Sequence, residues 1–296
     1  MYDKLKQHLS DRLLEDALMK EITSFKTGGK VRAIAYPNST EELRMILEYV
    51  NSSNEEYLVI GNCSNIIVTD AGYDGLIIST TKLKSIQIDG NIITAHCGDT
   101  MREVSSFALK NSLTGAEFLG GIPGTMGGGV FMNAGAYNCE LKDIVTEVKS
   151  MTREGEVITR TLEEVDFSYR HSIYNNSNEI ILNTSIRLEN GIYDEIRESM
   201  RVLSSKRRNS QPLEYPSAGS TFKRPLNAYA AKLIDDAGLK GARVGGAMVS
   251  TKHAGFIINY ENATSTDILN LIEHIKEVVY DKFDIMLETE VKIIGR

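Results

Sequence analysis

Apolar residues recur at helical spacing in some stretches of the chain and alternate with polar ones in others, and the two periods divide it into elements. The opening segment MYDKLKQHLSDRLLEDALMK mixes both charge signs with apolar residues at helical spacing, which predicts an amphipathic helix within residues 1–22. SFKTGGKVRAIAYPNS follows with alternating and β-branched residues broken by Gly28, Gly29 and Pro37, a strand; STEELRMILEYVNSS then opens a helix with Ser39 or Thr40 as N-cap. In EYLVIGNCSNIIVTDAGYDGLIIST two short apolar runs flank a Gly-Asn-Cys-Ser-Asn turn, and a third follows a glycine-containing turn. SIQIDGNIITAHC reads as a hairpin closed at Asp89-Gly90, where positive φ costs little. MREVSSFALKNSLTG predicts an amphipathic helix ending near Gly115, and further strands are predicted in VTEVKSMTREGEVITRTL and NEIILNTSIRLE. Beyond residues 189–193 the pattern becomes more helical, in YDEIRESMRVLSSKRR, AYAAKLIDDAGLKG and STDILNLIEHIKEVVYDKF, with a helix end at Asp235-Asp236-Ala237-Gly238.

These elements predict an α+β protein in three parts: an N-terminal helix (1–22), a 23–189 region of two α+β subdomains divided near residue 80, and a 190–296 region. At 296 residues with 42% hydrophobic and 25% charged residues, the chain can bury a core and still leave a cleft. It has no run of eighteen or more apolar residues, and its first segment lacks the apolar block of a secretory signal, so a cytoplasmic protein without membrane insertion is expected. A formal charge of -7 argues against a general nucleic-acid surface. Lys206-Arg207-Arg208 is the local exception, a solvated face or a phosphate contact. Cys63, Cys97 and Cys139 are far apart and have no metal-ligand spacing, so reduced, buried thiols and no metal are expected.

Chemistry is concentrated in five segments. Six of the ten positions from Gly120 to Gly129 are glycine, and Val130-Phe131-Met132-Asn133-Ala134-Gly135-Ala136 follows. Glycines let the backbone approach a ligand and aim N–H groups at an anion, with Pro123 limiting the loop's freedom; the run therefore predicts a pyrophosphate cradle. A Rossmann or P-loop site is disfavoured, since neither glycine spacing occurs in its required context. Gly61-Asn62-Cys63-Ser64-Asn65, an Asx or Ser turn when taken alone, adds a second set of N–H groups. Asp166-Phe167-Ser168-Tyr169-Arg170-His171-Ser172 suits a cleft edge better than a core strand, although a lone arginine is commonly a surface ion pair. Ser217-Ala218-Gly219-Ser220-Thr221-Phe222-Lys223-Arg224-Pro225 is a turn with an exposed hydroxyl and basic residues behind it, without the nucleophile-elbow pattern. Glu290 lies in the alternating strand Leu287–Gly295, one of two carboxylates there.

In order and spacing, FKTGGKVRAIAYPNSTEEL, VIGNCSNIIV, GIPGTMGGGVFMNAG, FSYRHS, QPLEYPSAGSTFKRP, KLIDDAGLKG and ETEVKIIGR resemble the UDP-N-acetylenolpyruvoylglucosamine reductase family along nearly the whole chain. The resemblance implies a two-part FAD-binding unit like that of the vanillyl-alcohol-oxidase class. It also implies a C-terminal α+β substrate-binding domain whose last strand returns to the active site. The chain is similar to the family's second, short type. Non-covalent FAD would be held by Gly61, Asn62, Cys63, Ser64 and Asn65. Gly121, Ile122, Pro123, Gly124 and Thr125 would form the cradle with Gly127, Gly128, Asn133, Ala134 and Gly135. Tyr169, Arg207, Arg208, Lys223 and Arg224 are implied substrate contacts, and Arg170, Ser220 and Glu290 match the family's catalytic residues. NADPH is the implied hydride donor and UDP-N-acetylglucosamine enolpyruvate the small-molecule substrate, in peptidoglycan precursor synthesis, with no membrane, nucleic-acid or obligate protein partner. Cys63 stands where the family carries glycine, and Arg224 where it carries asparagine, which bears on substrate affinity. An oxygen-using FAD oxidase of the same fold and a flavin-binding protein with a degenerate site are the rival readings; neither gives the Arg170, Ser220 and Glu290 set a role.

Overall fold

The structure, a computed structural model, describes residues 2–295. The chain forms two compact units that alternate along the sequence. Unit 1 holds the chain through Glu15, Ala33–Asn62 and Gly75–Lys206; unit 2 holds Asp16–Arg32, Cys63–Asp74 and the chain from Arg207 on.

In unit 1, helix α1 (Asp3–Leu9) buries Leu5 and Leu9, and α2 (Thr40–Ser53) buries Leu43, Ile46, Leu47 and Val50, the stripe that its sequence spacing dictates. Fully burying one such side chain contributes roughly 1.5–3 kcal/mol. The α2 N-cap is Ser39, whose hydroxyl accepts from the Glu42 N–H at 3.2 Å. Tyr57–Ile60 pairs in parallel with the Leu76–Ser79 part of a strand that begins at Tyr73. A five-stranded antiparallel sheet orders Val157–Thr161, Val145–Met151, Ile180–Arg187, Ile92–His96 and Ile86–Asp89. Helices α3 (Met101–Lys110) and α4 (Met126–Phe131) belong to the same unit, and α4 packs on the two strands Ile180–Arg187 and Ile92–His96. Thr100 and Glu103 form a capping box at the start of α3, which fixes that helix and the turn before it.

In unit 2, helix α6 (Ala230–Asp236) and helix α7 (Ser265–Phe283) pack together, α7 burying Ile268, Leu271, Ile272, Ile275 and Val279. Helix α7 packs on a three-stranded antiparallel sheet of Arg243–Val244, Ala247–Val249 and Ile257–Asn259. The last strand, Lys292–Ile294, runs parallel to Ile66–Val68, a pairing of segments more than 200 residues apart. Between the units in sequence lies α5 (Tyr193–Ser210), which passes from unit 1 to unit 2 after Lys206.

Three expectations need correction. The N-terminal helix stops at Leu9, because Ser10 takes φ +52 and Leu13–Leu18 continues as a strand. The helix from Met101 ends at Lys110 rather than near Gly115, with Leu113–Thr114 forming a short strand against Glu189–Asn190. The partition is interleaved rather than sequential, since residues 16–32 and 63–74 pack with the C-terminal part. Among the described residues, no helix is long and apolar enough to cross a membrane.

Candidate active site

The glycine-rich segment of unit 1 is fastened by its own backbone. Met126 N–H donates to Asp99 O at 2.8 Å, Gly127 N–H to Cys97 O at 3.0 Å, and Met101 N–H to Gly124 O at 3.1 Å. Thr125 caps α4, its hydroxyl accepting from Gly128 N–H at 3.3 Å. The glycines serve different ends. A Cβ at Gly127 would lie 2.9 Å from Cys97 Cβ, one at Gly129 3.0 Å from Leu141 and Met101, and one at Gly61 would overlap the Thr125 hydroxyl. Packing inside the protein accounts for these three. Gly124 has φ +138, a conformation that side-chain-bearing residues rarely adopt. Gly128 is different: it is exposed, and the nearest atom to its Cβ position is the capping Thr125 hydroxyl at 3.6 Å. No protein atom requires glycine there, so the open space beside it fits a group from outside the polypeptide.

The expected row of free amides is therefore thinner than the sequence suggested. Gly127 N–H serves the Cys97 turn. Ala134 N–H donates to Gly129 O at 2.8 Å and its carbonyl accepts from Leu141 N–H at 3.0 Å, while Gly135 pairs with Glu140. Asn133 is fully buried, its Nδ2 donating to Ser168 O at 3.0 Å and Glu140 Oε2 at 3.3 Å and its Oδ1 accepting from Lys142 N–H at 3.0 Å. Its side chain is thus engaged within unit 1.

Tyr169 and Arg170 are the middle residues of a two-residue turn closed by Ser168 N–H to His171 O at 3.1 Å and His171 N–H to Ser168 O at 3.2 Å. Arg170 has φ +55, where a side-chain-bearing residue is strained by roughly 1–3 kcal/mol, a cost that persists where the surroundings impose it. Its guanidinium lies 5.0 Å from the Tyr169 ring centroid, a cation–π stack at the surface. Beyond the turn, the fully buried Ser172 hydroxyl donates to Phe131 O at 3.0 Å. Sequence reasoning gave Ser172 no role. Its signal is the Ser-x-x-Asn capping box that Ser172 forms with Asn175.

In unit 2, Ser220 follows Gly219, whose φ of +77 forms the turn, and is exposed. The next residues pair with the strand approach that carries Glu290: Glu290 N–H donates to Thr221 O at 2.8 Å and Lys223 N–H to Glu288 O at 2.8 Å, around a Phe222–Thr289 bridge. Ser220 and Glu290 thus sit on adjoining backbone segments. Asn65 joins them, its Nδ2 donating to Glu290 O at 3.3 Å and its carbonyl accepting from Lys292 N–H at 3.0 Å. Lys223 pairs with Glu288 at 3.1 Å, with both side chains largely exposed, so this ion pair is weak and its ammonium can be redirected. Arg224 stacks 4.4 Å over Tyr229. Arg207 and Arg208 lie in the last turn of α5, where cations complement the helix dipole.

Cys63 holds φ +51, so the backbone keeps the left-handed conformation natural to glycine although a side chain is present. Its carbonyl accepts from the Ser24 N–H at 3.3 Å and hydroxyl at 3.1 Å. Burial pushes the thiols of Cys63 and Cys97 up to about 12, whereas Cys139 is exposed, contrary to the expectation that all three are buried. At neutral pH an aromatic disulfide reagent should label one thiol per native chain and three after denaturation. Rapid labelling of two or more in the native protein would show that a buried thiol is accessible.

Two family descriptions match the chain: an FAD binding domain over residues 31–161, and the C-terminal domain of UDP-N-acetylenolpyruvoylglucosamine reductase over residues 211–294. The UDP-N-acetylenolpyruvoylglucosamine reductase of Caldanaerobacter subterraneus subsp. tengcongensis is 44% identical over 296 residues, 100% of this chain and 98% of that protein. The enzyme of the same name from Limosilactobacillus fermentum is 46% identical over 274 residues, covering 93% and 91% of the two chains. The crystal structure of UDP-N-acetylenolpyruvylglucosamine reductase from Thermus caldophilus superposes with a TM-score of 0.82 at 30% identity, covering 94% of this chain and 98% of that one. Fold and matches together define an FAD-dependent oxidoreductase of α+β architecture with the FAD-binding unit expected from the sequence. The chain belongs to the UDP-N-acetylenolpyruvoylglucosamine reductase family. The opening beside Gly128 fits the phosphate-bearing part of FAD.

Proposed function

We propose that this chain reduces UDP-N-acetylglucosamine enolpyruvate to UDP-N-acetylmuramate, with NADPH as the hydride donor, as a cytoplasmic step of peptidoglycan precursor synthesis. The observation that carries the reading is the pairing of the Ser220 turn with the segment bearing Glu290, through the Glu290 N–H to Thr221 O bond of 2.8 Å. That pairing places a hydroxyl and a carboxyl on neighbouring segments of a chain from an enol-ether-reducing family. When bound, FAD supplies a hydride that it has received from the nicotinamide.

Hydride addition to the terminal carbon of the enolpyruvyl group drives negative charge onto the adjacent carbon and its carboxylate. Arg170 holds that carboxylate through two N–H groups, and its charge counters the developing enolate. Glu290, if it carries a proton, can add a further hydrogen-bond donor to the developing charge. Ser220 delivers a proton to the enolate carbon, so hydride and proton together saturate the double bond and NADPH leaves as NADP+. Lys223, released from its exposed pair with Glu288, neutralises the serine alkoxide. Gly128 leaves room for the pyrophosphate, with Gly61, Asn62, Ser64, Gly121, Ile122, Pro123, Gly124 and Thr125 around the cofactor. Tyr169, Arg207, Arg208 and Arg224 contact the sugar nucleotide.

The test is spectroscopic. Purified protein should carry a yellow, acid-extractable flavin that bleaches anaerobically with NADPH and recovers its colour when the enolpyruvyl sugar nucleotide is added. Colourless protein that does not take up FAD, or reduced flavin reoxidised by oxygen but not by the sugar nucleotide, sinks the reading.

A further inference from the structure

We propose that Asn133 is a positioning residue for Arg170: its buried amide locks the turn that presents the guanidinium. The inference rests on the carboxylate-binding role given to Arg170 above. Only Arg170 of the two central turn residues has positive φ, the pattern of a turn that prefers glycine at its third position. A turn built on arginine does not hold this shape unaided, since the left-handed conformation is disfavoured for any residue with a Cβ. Its two closing bonds lie within the turn and do not fix its direction.

Direction comes from Asn133. Its Nδ2 donates to the Ser168 carbonyl at 3.0 Å, the same carbonyl that accepts from His171 N–H and closes the turn. The orientation of the amide is itself determined: Oδ1 faces the Lys142 N–H at 3.0 Å, and Nδ2 faces two oxygens, Ser168 O and Glu140 Oε2. A flipped amide would set oxygen against both of them. Asn133 is fully buried, so water cannot replace a lost bond cheaply. Ser172, equally buried, secures the other end of the turn to Phe131 O at 3.0 Å. Phe131 ends α4 and Asn133 lies two residues further on. The cradle helix and the arginine turn are therefore one hydrogen-bonded piece, and Asn133 acts through Arg170 rather than on a ligand.

A double-mutant cycle with Arg170→Ala separates this role from a general structural one. Asn133→Ala should retain flavin and be reduced by NADPH within about twofold of wild type. Its reoxidation by the enolpyruvyl substrate should slow on the order of 10- to 100-fold, the size expected from a misplaced binding group. In the Arg170→Ala background the same change should cost under about threefold, since the residue it positions is gone. Hydrogen exchange of the His171 amide in the flavin-free protein should also quicken in Asn133→Ala. Ser172→Ala, which loosens the other end, should repeat the pattern and serves if Asn133→Ala does not fold. Wild-type reoxidation in both single variants, loss of flavin from both, or equal losses in the two backgrounds overturns the positioning role. If Arg170→Ala itself reoxidises at the wild-type rate, the reading of Arg170 fails first and the positioning role falls with it.

Discussion

Replacing Ser220 by alanine should leave NADPH-driven bleaching of the flavin nearly intact while slowing its reoxidation by the enolpyruvyl substrate at least about 100-fold. A general acid contributes on the order of 100- to 10,000-fold, and the lower bound applies because water can deliver a proton to an exposed site. Ser220 is exposed on a turn formed by Gly219, and the segment after it is held by the Thr221 and Lys223 backbone bonds to Glu290 and Glu288. The hydroxyl can therefore be removed without unpairing a buried partner, and the fold should tolerate the change. Ser220→Cys should recover part of the rate, because a thiol is the stronger acid. Stopped-flow absorbance of the flavin band measures each half-reaction separately. A variant that bleaches slowly yet reoxidises at the wild-type rate would place the serine with the cofactor and remove it as the proton donor.

Local chemistry made much of this architecture readable. The α2 stripe Leu43, Ile46, Leu47, Val50 follows helical spacing, and so does the α7 stripe from Ile268 to Val279. Both helices carry their caps in the sequence, Ser39 before α2 and Thr264 with Asp267 at α7. The hairpin around Gly90 was legible from its alternating flanks and a residue able to take φ +58. Alternation along Leu13–Leu18 is too brief to stand out from the charged helical pattern around it, and that strand was missed. The interleaving of the units was hidden for another reason. It depends on a parallel pairing of Ile66–Val68 with Lys292–Ile294, and nothing local in either segment specifies a partner so far away.

The candidate site was legible in its residue types and less so in their duties. Glycine at 61, 127 and 129 looks alike in sequence to glycine at 128, yet only the neighbours in space reveal that three of them are needed for packing and one is not. Two of the three asparagines assigned to the cofactor loops show the same limit. Asn65 donates to the backbone of Glu290, and Asn133 to the turn that carries Arg170. An amide that can serve a ligand can equally serve a carbonyl, and residue identity alone does not say which.

The contrast between Gly127 and Gly128 gives the second large effect. Gly128→Val should abolish FAD binding while leaving the flavin-free protein folded, whereas Gly127→Val should damage the fold itself. At 127 the first added carbon already lies 2.9 Å from Cys97 Cβ in a fully enclosed position, and the two further methyls of valine have no space to enter. Overpacking of this kind costs on the order of 1–3 kcal/mol and often more. At 128 the position is exposed, the closest protein atom is the Thr125 hydroxyl at 3.6 Å, and Gly128 lies within α4. Valine is the better helix former of the two by a few tenths of a kcal/mol, so nothing in the polypeptide opposes the change. The branched side chain would occupy the space left for the cofactor's phosphates. Urea unfolding of the flavin-free proteins and titration of each with FAD measure the two effects independently. Gly128→Val should unfold within about 1 kcal/mol of the parent, and its FAD affinity should fall by at least about 100-fold, equivalent to some 2.7 kcal/mol of binding. If Gly128→Val instead binds FAD as tightly as the parent, the phosphates do not lie beside α4 and the cradle must be sought elsewhere in the chain.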